Sequence, residues 1–154
     1  MGSLTDHTRQ AFRMRSLAAE DYGACLQIWA RCGRTAAWAW EDPTVLMRLI
    51  MRNPSICCVA EHGGRLIGAL LCGHDGARAC LHHVAVAEAW RRRGIGSALV
   101  ARTLAELAKA GIQHVHATVD GTNGSGMPFM RACGWLSQED LVLLSLRIPA
   151  RWHS

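Results

Sequence analysis

The chain contains no apolar stretch near the roughly 20 residues that a membrane-spanning helix requires; runs such as Ile67–Cys72 stop far short. No apolar segment follows Met1-Gly2-Ser3-Leu4-Thr5-Asp6, so the start does not read as a secretory signal. Asp6 also stands where a myristoylation pattern wants Ser or Thr. The seven cysteines (Cys25, Cys32, Cys57, Cys58, Cys72, Cys80 and Cys133) are odd in number and lack C-x-x-C spacing. That argues against a disulfide framework and against a zinc ribbon. Most sit in apolar runs, where a free thiol behaves as a small hydrophobe, so a reduced, cytoplasmic setting is expected. Internal repeats, low-complexity linkers, a Ser-His-Asp ordering and a Cys-His nucleophile pattern are all missing.

What is present suits one globular unit. At 154 residues, with 50% hydrophobic and 19% charged, the chain supports a single core. Residues 1–10 read as a flexible leader and residues 11–150 as one domain. The net charge of +5 and pI near 9.1 suit a polyanionic partner, and a nucleotide cofactor satisfies them as well as nucleic acid does.

Periodicity gives the element order. Phe12-Arg13-Met14-Arg15 alternates as a first strand. Tyr22, Cys25, Leu26 and Trp29 recur at helical spacing, with Gly33 as a stop. Asp42-Pro43 starts a second helix, with Leu46, Leu49 and Ile50 on its apolar face and Pro54 beyond its end. Ile56–Glu61 and Arg65–Cys72 flank Gly63-Gly64, a two-residue hairpin signal, and Asp75-Gly76 turns the chain into Ala79–Val86. Ser97–Ala110 is predicted as an amphipathic helix burying Val100, Leu104, Leu107 and Ala108. Gln113–Val119 is strand-like, Met127–Cys133 a short helix ended by Gly134, and Leu141–Ile148 a final strand. The predicted fold is α/β, a central mixed, mostly antiparallel sheet flanked by helices, in the order β-α-α-β-β-β-α-β-α-β. A strand-helix-strand crossover makes residues 79–86 and 113–119 parallel neighbours.

Between those two strands lies Arg91-Arg92-Arg93-Gly94-Ile95-Gly96. A helix N-terminus offers unpaired N–H groups and partial positive charge to an anion. The glycines permit a tight turn close to a phosphate, and the arginines add charged donors. The Lys-Ser/Thr of a Walker A loop and the third glycine of a dinucleotide fingerprint are absent. On spacing alone, a basic turn with a glycine hinge reads equally well.

Arg91 to Gly96 resembles the Q/R-x-x-G-x-G/A signature of the GNAT superfamily of N-acetyltransferases. Val84-Ala85-Val86 looks like that family's cofactor-side strand, and Asn123, Phe129 and Gly134-Trp135 resemble its N-x(6)-Y-x(3)-G-F segment. Gly33-Arg34-Thr35 through Trp40-Glu41-Asp42-Pro43, with His74-Asp75-Gly76, is similar to the small stand-alone bacterial, YpeA-like members. The resemblance covers roughly residues 11–148. It implies acetyl-CoA as co-substrate, with the pyrophosphate on the amides of Arg92, Arg93, Gly94, Ile95 and Gly96 and on Ser97. It implies a pantetheine arm along Val84 and Val86, with Ala85, Asn123, Phe129 and Met130 in the same cofactor site. The implied partner is an amine acceptor, small molecule or protein; a homodimer is a further implication, and neither nucleic acid nor membrane is expected.

For the chemistry, an amine of pKa about 10.4 must lose its proton, and a His near pKa 6.5 can receive it. His82 and His83 lie on the strand before the turn. Strand alternation predicts Cys80, His82, Val84 and Val86 on one face and His83 on the other. In one branch of the superfamily a His at the position of His82 helps deprotonate the amine through water; packed, hydrogen-bonded substitutes for aromatics is the other reading of this pair. Met130 occupies the place of the family's usual acid Tyr, and a thioether has no proton to give. A positioned acid contributes about 10²–10⁴-fold, roughly 3–5 kcal/mol, whereas a thiol of pKa about 8.5 leaves ionised at a cost on the order of 2 kcal/mol. Catalysis should therefore be slowed, not abolished, with water or Cys133 as substitutes. Met130 also motivates an alternative, a non-catalytic acyl-CoA-binding or sensing protein, and the arginine run motivates a weaker one, a nucleic-acid module.

Three other groups stand out. His114 and His116 face the same way on one strand, but nothing completes a metal set, so no metal site is predicted. Trp29, Trp38 and Trp40 would wall an acceptor pocket or simply pack. Glu41 and Asp42 would attract an amine, unless Asp42 is only a helix cap.

Overall fold

The computed structural model describes residues 11–32, 42–122 and 124–149. The expected leader, 1–10, lies outside them, as do Gly33, Trp38, Trp40, Glu41 and Asn123.

Alternating apolar residues build the sheet. Strand β1 (Arg13–Ser16) pairs antiparallel with β2 (Cys58–His62), Met14 opposite Ala60. Gly63 and Gly64 carry φ of 57° and 76°, as a two-residue type I′ turn demands, and so close a hairpin between His62 and Arg65 at the start of β3 (Arg65–His74). The Asp75 carboxylate accepts from the amides of Ala77 and Arg78, both at 2.8 Å, and turns the chain into β4 (Arg78–Val86). Strand β5 (His114–Ala117) lies parallel to β4, reached through a crossover helix. The sheet order is β1-β2-β3-β4-β5.

Helices cover both faces. On one, α1 (Tyr22–Ala30) and α2 (Pro43–Arg52) bury Cys25, Ile28, Trp29 and Leu46 against Val59, Ala69, Leu71 and Ala85. Asp42 caps α2, its carboxylate accepting from the Thr44 amide at 2.8 Å and its hydroxyl at 2.7 Å. Asn53 ends α2 and locks it to the sheet by accepting from the His74 amide at 2.8 Å. On the other face, α3 (Ile95–Lys109) packs on Cys58, Leu70, Cys72 and Leu81, with Phe129 of α4 (Gly126–Ala132) beside it. Gly134, at φ 88°, closes α4: its amide donates to the Arg131 carbonyl and the Trp135 amide reaches back to that of Met130, a Schellman cap.

Two expectations change. Helix α3 begins at Ile95, not Ser97, and buries Ile95, Leu99, Val100, Thr103 and Leu107; Leu104 and Ala108 face solvent. The true stripe contains a polar residue, which hides it from a hydrophobicity count. The Thr103 hydroxyl is satisfied there by donating to the Ile56 carbonyl at 3.1 Å. The second change is larger. Leu141–Ile148 is not a strand: it runs outside the sheet with no ladder partner among the described residues, and its large apolar side chains are 72–87% exposed. A strand needs another strand's N–H and C=O groups as well as the right alternation.

Candidate active site

The site is built where β4 and β5 separate. Their pairing runs from Arg78–His114 to Leu81–Ala117 and stops, while β4 continues to Val86. From His82 onward the β5-facing edge of β4 therefore has no strand beside it. At the same point β4 bulges: Cys72 of β3 lies opposite Leu81 and Leu71 opposite His83, so His82 is an extra residue in the ladder.

The bulge corrects the predicted alternation. Ala79 and Leu81 pack with the α3 core, and after the bulge so do Val84 and Val86, while Ala85 joins the opposite core. Cys80 and His82 share a side, Sγ and Nδ1 being 3.8 Å apart, but they do not share the face of Val84 and Val86. His83 is buried on the α1 side, stacked on Trp29 with ring centroids 5.8 Å apart and planes at 26°. Burial, with nearby His116 adding like-charge repulsion, holds the His82 imidazole below its usual pKa.

Below the gap sits the Arg-Gly turn. Gly94 is the N-cap of α3 with φ 80°, and Arg92 at φ 63° is also left-handed. No side chain caps this helix end, and a Cβ at Gly94 would meet nothing within 4 Å. The first-turn amides of Ile95, Gly96 and Ser97 have no helical carbonyl to bond. Gly96 serves differently from the reading of the sequence: a Cβ there would come within 3.0 Å of the Phe129 ring, so the missing side chain lets α4 close on α3. The arginines are all exposed but differently used. Arg91 Nε donates to the Val86 carbonyl at 3.1 Å and its terminal nitrogen lies 3.4 Å from Cys32 Sγ, while Arg93 stacks 4.9 Å above Trp90.

A cavity of about 70 Å³ occupies the gap, lined by residues that include His82, His83, Val84, Phe129 and Met130. Met130 is 6% exposed, its thioether forming part of the wall. The structure thus gathers the predicted His82, His83, Val84, Phe129 and Met130 at one cavity, with Val86, Ala85 and the turn alongside. Cys133 lies outside the lining, beside Ser97 at 3.8 Å. Trp29 is core, its buried indole N–H without a hydrogen-bond partner among the described residues. His114 and His116 are exposed, and among the described residues no three His, Cys, Asp or Glu gather as a metal site.

Cys32, Thr118 and Asp120 also line the cavity and were not singled out from the sequence. The signal for the latter two is positional: they follow the C-terminal end of a parallel strand at the place where its neighbour diverges, where α/β sheets bind ligands.

A strand pair that parts above an uncapped, arginine-flanked helix start matches a known family. The profile of the acetyltransferase (GNAT) family spans residues 13–135. The chain belongs to that family. An acetyltransferase of Sodalis glossinidius is 27% identical over 84% of this chain and 90% of its own length. Among solved structures, Ard1 from Thermoplasma volcanium superposes with a TM-score of 0.70 at 21% identity, covering 82% of this chain and 83% of that one. The PaiA N-acetyltransferase of Thermoplasma acidophilum, solved in complex with coenzyme A, gives 0.66 at 19% identity, covering 79% and 87%. These likenesses establish a GNAT fold, and membership carries acyl transfer as the general chemistry. No helix among the described residues is long and apolar enough to cross a membrane.

Proposed function

We propose that this GNAT protein transfers an acetyl group from acetyl-CoA to a primary amine of a small molecule or protein, by direct attack of the neutral amine on the thioester. The observation that carries this reading is the unpaired β4 edge beyond Leu81–Ala117, standing directly before the uncapped N-terminus of α3. An anion as dense as a pyrophosphate suits the amides of Ile95, Gly96 and Ser97, with Arg91, Arg92 and Arg93 around them. An amide-bearing pantetheine arm suits the free edge of Val84 to Val86, as an added strand would. It would take over the Val86 carbonyl that Arg91 now holds, releasing Arg91 toward the phosphates. The cavity of about 70 Å³ has room for the acetyl end and not for the cofactor.

In this reading His82 is the base. Its depressed pKa keeps the imidazole neutral at pH 7 and able to accept the ammonium proton, directly or through water. Asp120 at the cavity wall attracts the incoming cation. His83, stacked on Trp29, positions β4 rather than transferring protons. Met130 supplies no proton, so CoA departs as the thiolate.

The test is to incubate the protein with acetyl-CoA and a panel of amines and to measure free CoA after separation from the protein. Amine-dependent release is expected. Thermal stabilisation by CoA with no release for any amine would instead support a binding or sensing role, the reading favoured by the buried Met130. Absence of any response to CoA would overturn the assignment altogether.

A further inference from the structure

The cavity where β4 and β5 part has two chemically different sides. Leu81, Val84, Ala117 and Phe129 line it and belong to the apolar core packed under α3. Cys32 packs with the opposite core, and His83 stacks there on Trp29 of α1. Thr118 and Asp120 add polar groups just beyond the end of β5. Most of the apolar wall is fixed. Leu81 and Ala117 are partners in the β4–β5 ladder, and Val84 is held opposite Leu70 of β3. Phe129 is pressed against Gly96, where an added Cβ would lie 3.0 Å from the ring. Met130, buried in the same lining, differs from them. Its side chain is unbranched, flexible and polarisable, so it fills gaps and yields to a neighbour's shape. Volume then sets a limit. One water-sized group takes about 10–15 Å³ of such space, so a cavity of about 70 Å³ holds roughly five. An acetyl group brings three non-hydrogen atoms and the attacking amine nitrogen a fourth, which leaves one place unfilled. A propionyl group fills it.

We propose that the apolar side of this cavity is an acyl pocket whose depth Met130 sets, and that the protein transfers propionyl groups about as readily as acetyl groups. This pocket serves the transfer reaction proposed above and rests on that reading. The chemistry is unchanged: the amine nitrogen bonds to the thioester carbonyl carbon, the carbon–sulfur bond breaks, His82 takes the amine proton and CoA leaves as the thiolate. The acyl chain belongs on the apolar side because a methylene gains nothing beside Thr118 and Asp120. Buried against Leu81, Val84 and Phe129, it strengthens binding by roughly fourfold. A Tyr at position 130 would work against this, since its ring is rigid and a buried hydroxyl needs a hydrogen-bond partner. A thioether needs none. The residue that deprives the site of a proton donor thereby gives it an adaptable apolar wall.

Acetyl-, propionyl-, butanoyl- and hexanoyl-CoA, each titrated calorimetrically without amine and then assayed for amine-dependent CoA release, test this on the full chain. Propionyl-CoA should bind the parent about two- to fourfold more tightly than acetyl-CoA. Its kcat/KM should lie within about threefold of that for acetyl-CoA. Butanoyl-CoA should lose less than about tenfold, because Met130 yields, and hexanoyl-CoA more than about tenfold. Met130→Ala removes three heavy atoms from the wall and should bring hexanoyl-CoA up to the level of propionyl-CoA in the parent. That truncation also removes core packing, so Met130→Leu supplies a second readout. Leucine conserves the volume but stiffens the wall, and should keep acetyl and propionyl while losing butanoyl by more than about tenfold. A parent that prefers acetyl- to propionyl-CoA by more than about tenfold overturns the pocket, as does one chain-length profile shared by the parent and both variants. Absence of CoA release with every amine and thioester would remove the transfer reading instead, and the affinities alone would then show whether Met130 reads chain length.

Discussion

In the proposed reaction His82 is the base: it is the extra residue of a bulge, it lines the cavity, and burial lowers its pKa from the usual imidazole value. His82→Ala should lower kcat/KM by about 10²–10⁴-fold with acetyl-CoA affinity little changed. The pH profile gives the sign. A base with depressed pKa is active when neutral, so the parent's rate should climb with pH through a value below about 6.5. The variant should lose that limb, and identical profiles would remove His82 from the mechanism. The cysteines make a second residue-scale prediction. Cys25, Cys57, Cys58 and Cys72 are buried, and desolvation pushes Cys25 and Cys72 up to about 12 and Cys57 to about 11. A thiol reagent at pH 8 should therefore label only Cys32, Cys80 and Cys133 at appreciable rates in the native protein, and all seven in denaturant. Rapid native labelling of a fourth thiol would contradict this packing. The sequence foretold these thiols as small hydrophobes, because apolar neighbours are local information. It did not reveal that Cys32 reaches the cavity, since that follows from Arg91 and Val86 lying some sixty residues on.

At the level of elements, the two glycines of the Arg-Gly turn do separate jobs that variants can distinguish. Gly94→Trp fills the open space before α3 and adds strain at φ 80°. It should weaken CoA binding by at least tenfold while costing about 1 kcal/mol of stability, read by calorimetric titration and a denaturant melt. Gly96→Ala instead presses on Phe129, where the Cβ would lie at 3.0 Å. Its expected effect is on stability, about 1–3 kcal/mol, through displacement of α4 from α3. Unchanged CoA affinity in Gly94→Trp would refute the cradle. The turn itself was legible from spacing, as were the hairpin at Gly63-Gly64 and the cap at Asp42, because each depends on a few adjacent residues. The face of α3 was misread by one position because Thr103, fully buried, hides its hydroxyl on a carbonyl from a distant loop.

For the molecule as a whole, acid sensitivity should centre on the β1–α1 junction. Arg15 donates to both oxygens of Asp21 at 2.7 and 2.8 Å and to Glu61 at 3.0 Å. The Arg15 hydrogen bonds hold the Asp21 carboxyl below its usual range. A carboxyl whose folded pKa is depressed stabilises the fold above its unfolded value of about 3.9, and that contribution is lost as pH falls through the folded value. Asp21→Asn should cost about 1.5–3 kcal/mol at pH 7, and the gap between variant and parent should narrow below pH 4; a constant gap would refute the linkage. The order of elements up to β5, the parallel crossover and the Arg-Gly turn before α3 were all determined by the sequence, since periodicity, caps and glycines act over a few residues. Only the tertiary structure decided which face His82 takes, because a bulge is defined by the partner strand. It alone decided that β4 and β5 part at Leu81–Ala117, and that Leu141–Ile148, a strand by every local sign, has no ladder partner among the described residues. Pairing is a property of two segments, and no single stretch of sequence contains both.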